Sequence, residues 1–319
     1  MKKRMSLFLS LLLFLLAMGE AEALCSGARW GLELCLQLLI PSLLPLFALS
    51  SLMNYLGLGD VLAGRLGGSM GRRFGISGAG ASAFILGLCG GYPLGAATAA
   101  ELYKSGRISR EEGERLLGFC DNTGPAFAVA ALGMGAFQST AVGLFLYGVH
   151  LLSAVLTGIL LRGKCGGTSA AAPGEPLPFP QAMTAAVSSA GRAILGVCSW
   201  VIVFAALLYG LNAHGTLDSA AGALAVGLGW ELGFCRALIW SFFELSGTVA
   251  LLGGLALSPM TLALAAFALS WGGLCVHFQS LSVCGGLSPR LRLGGKLLQA
   301  LLAAALSYIM STIFLLLRP

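Results

Sequence analysis

Four stretches of this chain, Ser139 to Leu161, Ala193 to Ala213, Thr261 to Val283 and Leu297 to Leu317, contain no Asp, Glu, Lys or Arg. Each is long enough to cross the hydrocarbon core of a bilayer, which takes about 20 apolar residues as a helix. Trp30 to Met53 adds a fifth run with a single acid, Glu33. Ile76 to Ala100, Leu117 to Gln138 and Ala237 to Ala256 are equally apolar, but glycine and proline interrupt the first two and Glu244 the third. Strands with alternating polar faces are absent, which argues against a barrel. The expectation is an all-α polytopic membrane protein with eight to ten hydrophobic segments, some of them broken or re-entrant.

Composition agrees. Only 10% of the residues are charged, against about 25% in soluble domains, and mean hydropathy is +0.88. The net charge of +6 does not point to nucleic acid, because the basic residues fall in short connectors and not on one solvated face. Lys2, Lys3 and Arg4 place the N-terminus in the cytoplasm. Further basic connectors are expected at Arg65, Arg72 and Arg73, at Lys104 to Arg115, at Arg162 and Lys164, and at Arg290, Arg292 and Lys296. All can share one side if Ile76 to Ala100 enters and leaves by the same face as a re-entrant hairpin. Met5 to Met18, ending in Ala21-Glu22-Ala23, reads as a retained anchor helix or as a signal-like segment.

Residues 1–29 thus form an anchor or signal-like unit. Gly163 to Pro180, rich in Gly, Pro and Ala, is a linker between a first membrane half, 30–162, and a second, 181–319. Phe119 to Gly124 aligns without a gap on Phe242 to Gly247, matching aromatic, acid, hydroxyl and glycine, and Val149-His150 and Val276-His277 follow at similar distances. Two related halves with a site between them is a common transporter plan. Within the first half, Glu101 to Arg115 reads as a solvated helix-turn-helix, with Ser109 and Glu112 as a capping box.

The candidate site residues are polar or helix-breaking groups set deep in apolar runs. Tyr92 and Pro93 interrupt a small-residue segment, Gly87 to Gly95, which is either a broken helix lining a solute path or a tightly packed kink. Asp121, Asn122 and Thr123 precede Gly124-Pro125 and form either part of a polar path or a polar helix entry. Glu244, followed by Ser246 and Gly247, lies far from water and must be protonated, hydrogen-bonded or paired with a cation; coupling to H⁺ or Na⁺ is the functional reading. His277 and Gln279 follow the Gly272-Gly273 break; His150, flanked by Val149 and Leu151, has less polar company, and His214 belongs to a loop.

Enzymatic readings fare poorly. Ser246-Gly247 with His277 has an acid where intramembrane rhomboid proteases carry a glycine, Asp121 and Glu244 lack the contexts of an aspartyl dyad, and no Gly-Lys-Ser or Gly-Lys-Thr binds nucleotide. Nine scattered cysteines without a Cys-x-x-Cys pair give no metal site and no disulfide framework. No cofactor is expected, and the partners are membrane lipids and a small solute, with a homo-oligomer or other membrane proteins as further candidates.

The order of blocks resembles the YlbJ family of sporulation integral membrane proteins, within the nucleoside recognition or Gate domain group. It runs through Pro41 to Pro45, Gly91 to Ala96, Gly106 to Ser109, Glu114 to Leu117, Asp121 to Pro125, Phe243 to Gly247 and Gly272 to Gln279. The resemblance implies a multi-pass protein of the cell membrane of spore-forming bacteria, related to a domain found in nucleoside and ferrous iron transporters. Asp121 stands where that pattern has an uncharged run, and Tyr92 where Phe is usual. The functional expectation is a transporter-like protein for a small solute; the alternative is a non-transporting scaffold for spore envelope assembly.

Overall fold

Among the residues that the computed structural model describes, 19–163 and 176–316, every regular element is a helix. The first hydrophobic segment, Met5 to Met18, and most of the expected linker lie outside the described residues. Helix α1 (Ala21–Leu34) passes through a π-turn at Cys35–Leu39 into α2 (Ile40–Tyr55), and the axis bends by 58°. Pro41 and Pro45 explain the bend, since neither donates to the ladder and their rings crowd the preceding turn.

The chain continues as α3 (Leu58–Phe74) and turns through 91° into α4 (Gly78–Gly90). Helix α4 is followed after Gly91–Pro93 by α5 (Leu94–Lys104). The two pack as a hairpin, because Gly87 faces Gly95 so closely that a β-carbon on Gly87 would sit 3.0 Å from the Gly95 backbone and collide with the Cys120 carbonyl. Short α6 (Arg110–Leu116), an irregular stretch, a π-helical segment (Ala126–Ala136) and α7 (Thr140–Leu160) complete the first half. The second holds α8 (Phe179–Leu211), α9 (Thr216–Leu228), α10 (Leu232–Phe243), α11 (Leu245–Leu252), α12 (Pro259–Trp271), α13 (Gly273–Val283) and α14 (Arg290–Leu316).

Among the described residues, four helical stretches, α7, α8, α12 with α13, and α14, are long and apolar enough to cross a membrane, and the two bent pairs raise the number to six. Their outward faces are mostly apolar: Leu195 is 68% exposed on α8 and Ile309 69% on α14, as befits surfaces that meet lipid, although α8 also exposes Thr184, Ser188, Arg192 and Ser199. Inward, Gly27 and Gly31 let α1 lie directly on Ile202, Ala205 and Tyr209 of α8, the close approach that small residues four apart allow. Phe74, Phe84 and Phe119 pack with ring centroids 5.2 to 6.1 Å apart beneath the hairpin.

The connectors after α3, α5 and α7 and before α14 gather at one end. Arg115 donates to the Gly75 carbonyl at 2.6 Å, Asp60 pairs with Arg107, Gly75 abuts Gly163, and the Ser288 amide donates to Glu114 at 3.0 Å. Arg110 beside Glu114, together with that amide, holds the Glu114 carboxyl below the usual range. Three expectations need correcting. Arg65, Arg72 and Arg73 lie within α3 and not in a loop. Arg292 and Lys296 belong to the first turns of α14 and are only 1% and 0% exposed. Ser109 does cap α6, accepting the Glu112 amide at 3.1 Å, but Glu112 does not return to Ser109. Its carboxylate instead accepts the Ser77 amide and hydroxyl at 2.6 and 2.7 Å, so α6 is pinned to the start of α4 and not solvated all round.

Gly87→Ala should lower the detergent-solubilised protein's stability by about 1 to 3 kcal/mol, the usual range for overpacking. Gly191→Ala, with nothing within 4 Å, should leave it unchanged. Thermal unfolding of the two variants side by side checks the hairpin.

Candidate functional site

Three helix breaks meet inside the protein. The first separates α10 from α11, where Glu244 takes an extended conformation and the last turn cannot continue. A helix start leaves amides without partners, and Glu244 supplies them: one carboxylate oxygen accepts the Ser246 amide at 2.8 Å and the other the Gly247 amide at 2.5 Å. Of the three states open to a buried acid, Glu244 is therefore in the hydrogen-bonded one. The second break separates α12 from α13 at Gly272 and Gly273, whose φ of +81° and +76° lie in the left-handed region that glycine alone adopts freely. The two breaks are packed on each other. Gly273 rests against the Phe243–Glu244 backbone, and the Trp271 indole donates to the Phe242 carbonyl at 3.2 Å.

The third is the irregular stretch between α6 and the π-helical segment. Gly124 lies against Gly91 of the hairpin turn. Thr123 donates through its hydroxyl to the Leu269 carbonyl of α12 at 2.6 Å, and Tyr92 reaches the Leu269 and Ser270 carbonyls at 3.4 and 3.5 Å. The Thr123 amide donates to His150 Nε2 at 3.2 Å, which leaves the His150 proton on Nδ1, 2.8 Å from the Ser270 hydroxyl. Both halves of the sequence thus hold the same breaks closed.

Behind Tyr92 lies a buried charge network. Arg292 Nη2 is 2.7 Å from Asp121 Oδ2 and 2.7 Å from the Ser280 hydroxyl, which itself bonds Asp121. Arg292 also donates to His277 Nδ1. Lys296 donates to the Asp121 carbonyl at 2.9 Å and Gln299 at 2.8 Å, while Gln299 donates to the Asn122 side chain at 2.9 Å. The Lys296 ammonium stands 5.2 Å from the centre of the Tyr92 ring, within cation–π range. Arg292, Lys296 and Gln299 share one face of α14, the spacing that i, i+4 and i+7 require. That spacing is the signal in the sequence, and it is masked because both cations stand where connector charges would.

The expected site residues therefore separate into groups. Tyr92, Thr123, Glu244, Ser246 and Gln279 line one cavity of about 40 Å³, closed on its remaining sides by apolar groups such as Leu43, Phe47 and Val201. Every residue around it is buried, with at most 9% exposure among the larger side chains. Pro93 does not reach it; with Phe47, Tyr92 and Arg192 it lines a neighbouring cavity of about 270 Å³. Asp121, Asn122 and His277 line neither, and Asp121 is fully buried. The two acid motifs do different work, one capping a helix and the other pairing with α14. Among the described residues, no three His, Cys, Asp or Glu side chains gather as metal ligands.

Among curated proteins, the chain is similar to the sporulation integral membrane protein YlbJ of Bacillus subtilis (strain 168), with 32% identity over 158 residues. The match covers 49% of this chain and 39% of that protein, so it spans well under half of the relative's length. No family model matches the chain, and no solved structure matches it. The YlbJ-like character read from the motifs thus has a relative behind it, and the helices are those of a multi-pass membrane protein.

Asp121→Asn or Arg292→Gln alone should destabilise the protein by about 3 to 5 kcal/mol, because each leaves a buried partner charge uncompensated. The double variant should lose less than the sum of the two. A double-mutant cycle on thermal or denaturant unfolding in detergent reads the coupling.

Proposed function

We propose that this chain is a sporulation-associated membrane protein of transporter-like type, which moves a small solute through the cavity at the meeting point of its helix breaks. The observation that carries this reading is the position of Glu244. Glu244 caps α11 through its carboxylate and at the same time is one of the residues that line a buried void, together with Tyr92, Thr123, Ser246 and Gln279. Broken helices around a polar midpoint are the usual construction of secondary transporter sites, and irregular backbone at that depth is tolerated only where protein or a hydrated cavity covers it. A void of about 40 Å³ has room for about three waters, each of which needs about 10 to 15 Å³ of such space. The conformation described is then an occluded one, and passage of a larger solute requires the breaks to move.

The sporulation setting comes from the relative's name alone. Coupling to H⁺ or Na⁺ follows from Glu244, whose hydrogen bonds with α11 would change if a proton or cation took its charge. A scaffold would need polar groups turned outward to grip partner helices. Here the buried polar groups bond one another across the two halves, and the exposed polar side chains of α8, such as Thr184, Ser188, Arg192 and Ser199, bond only within their own helix.

Ligand-dependent thermal stabilisation should be measured across nucleosides, amino acids, dicarboxylates and monovalent cations, and each stabilising compound then followed for flux in reconstituted vesicles. Glu244→Gln should abolish that flux while the protein stays monodisperse. Undiminished flux removes Glu244 from the mechanism, and a chain that neither binds nor carries any of the panel defeats the transport reading.

A further inference from the structure

A third cavity, of about 640 Å³, lies at the other end of the protein. Trp30, Tyr209 and Trp240 form its wall, the Asp218–Arg236 ion pair stands at its rim, and Gly247 and Leu251 of α11 form its floor. The three cavities follow one another along α8. The 270 Å³ cavity touches Ser189 and Arg192, the 40 Å³ cavity Val197 and Val201, and the 640 Å³ cavity Leu208, Tyr209 and Asn212. At 1.5 Å per residue, Arg192 to Asn212 measures about 30 Å, the thickness of a bilayer's hydrocarbon core. The bent pair α1–α2 shows the same series in reverse: Trp30 at the large cavity, Leu39 and Leu43 at the central one, Phe47 and Ser51 at the third. Two elements that run in opposite directions thus agree on the order.

The separations between the cavities are thin and made of identifiable groups. Phe47 and Tyr92 line both the 270 Å³ and the 40 Å³ cavities, so they are the partition between them. On the other side the partition is the first turn of α11. Glu244, Leu245 and Ser246 face the central cavity, and Gly247, next in sequence, faces the large one. Trp30 and Trp240 press on Gly247 so tightly that a β-carbon there would lie 2.7 to 2.8 Å from their rings. A further cavity of about 340 Å³ flanks α11 through Val249, Ala250 and Gly253. This eight-residue helix, preceded by an extended residue and followed by Gly253-Gly254, therefore has empty space on two sides into which it can shift.

We infer that the three cavities are stations of one transmembrane route, shut at two gates: Phe47 with Tyr92 toward the end where the basic connectors gather, and Trp30 with Trp240 over Gly247 toward the other. This rests on the transport reading and deepens it by naming what opens on each side. The aromatic side chains act as lids and carry no chemistry. The capped start of α11 is the shared element, because the carboxylate that faces the central station also holds the turn on which the second lid rests.

The test uses the full chain with its nine cysteines replaced, Ser246→Cys as the reporter, and a membrane-impermeant trimethylammonium methanethiosulfonate added to one face of sealed vesicles. Ser105→Cys marks the basic-connector face and Ser219→Cys the opposite one, since both positions are exposed. Ser246→Cys alone should react slowly from either face. Adding Phe47→Ala should accelerate reaction by about tenfold from the Ser105 face only, and adding Trp240→Ala from the Ser219 face only, equivalent to about 1.4 kcal/mol in each opening equilibrium. Unchanged rates, or acceleration from the wrong face, overturn the proposal. If the cysteine-free chain does not fold, hydrogen exchange of the Ser246 and Gly247 amides in the native-cysteine protein replaces it: both alanine variants should speed exchange there, and no change overturns the route. Labelling as expected without flux of any panel compound keeps the route and removes transport. Flux lost in Glu244→Gln with labelling unchanged keeps transport and removes this route.

Discussion

A helix that ends inside a bilayer leaves amides and carbonyls with no water to turn to, and the architecture depends on how those groups are satisfied. Glu244 takes the amides that open α11. Thr123, Tyr92 and Trp271 take carbonyls left free at the ends of α12 and α10. Asn122 bonds the Phe119 carbonyl, Lys296 the Asp121 carbonyl, and Tyr147 of α7 the Leu88 carbonyl at 2.9 Å. Half of these bonds join residues more than fifty positions apart, so the breaks are held in part by one another.

Charge balance sets a second condition. Asp121 is one carboxylate facing two cations of α14, and the excess positive charge is spread over the Asp121 carbonyl, Gln299 and the Tyr92 ring. Tyr92 is consequently held from both sides, by Lys296 at its ring and by α12 carbonyls at its hydroxyl. A residue that borders the central cavity is thus positioned by the charge network, although no charged member of that network lines the cavity itself.

The fold class was legible because long charge-free runs admit few alternatives, and the breaks were legible because Gly91, Pro93, Gly124, Glu244 and Gly272 are conspicuous in apolar surroundings. The hairpin was legible from the basic connectors around it. The partnerships were not. Arg292 and Lys296 sit where a connector charge would, and only the helical register of Gln299 and the small residue Gly295 beside them hints that this face turns inward. Asp121 and Glu244 look equivalent in sequence, yet the first meets a guanidinium and the second a helix start; that difference arises from α14, whose cations reach Asp121 and not Glu244. The aromatic wall at Trp30, Tyr209 and Trp240 was equally hidden, since its members come from three separate segments.

The position of Arg292 and Lys296 also bears on how the chain is made. An arginine and a lysine are poor passengers for a segment entering lipid alone, and their neutralising groups, Asp121 and Asn122, are synthesised long before α14 leaves the ribosome. The charge-free run from Leu297 onward is long enough to cross by itself, so what waits on the earlier part is the docking of the first turns of α14. A chain whose first half misfolds would leave Arg292 and Lys296 without the partners that bury them.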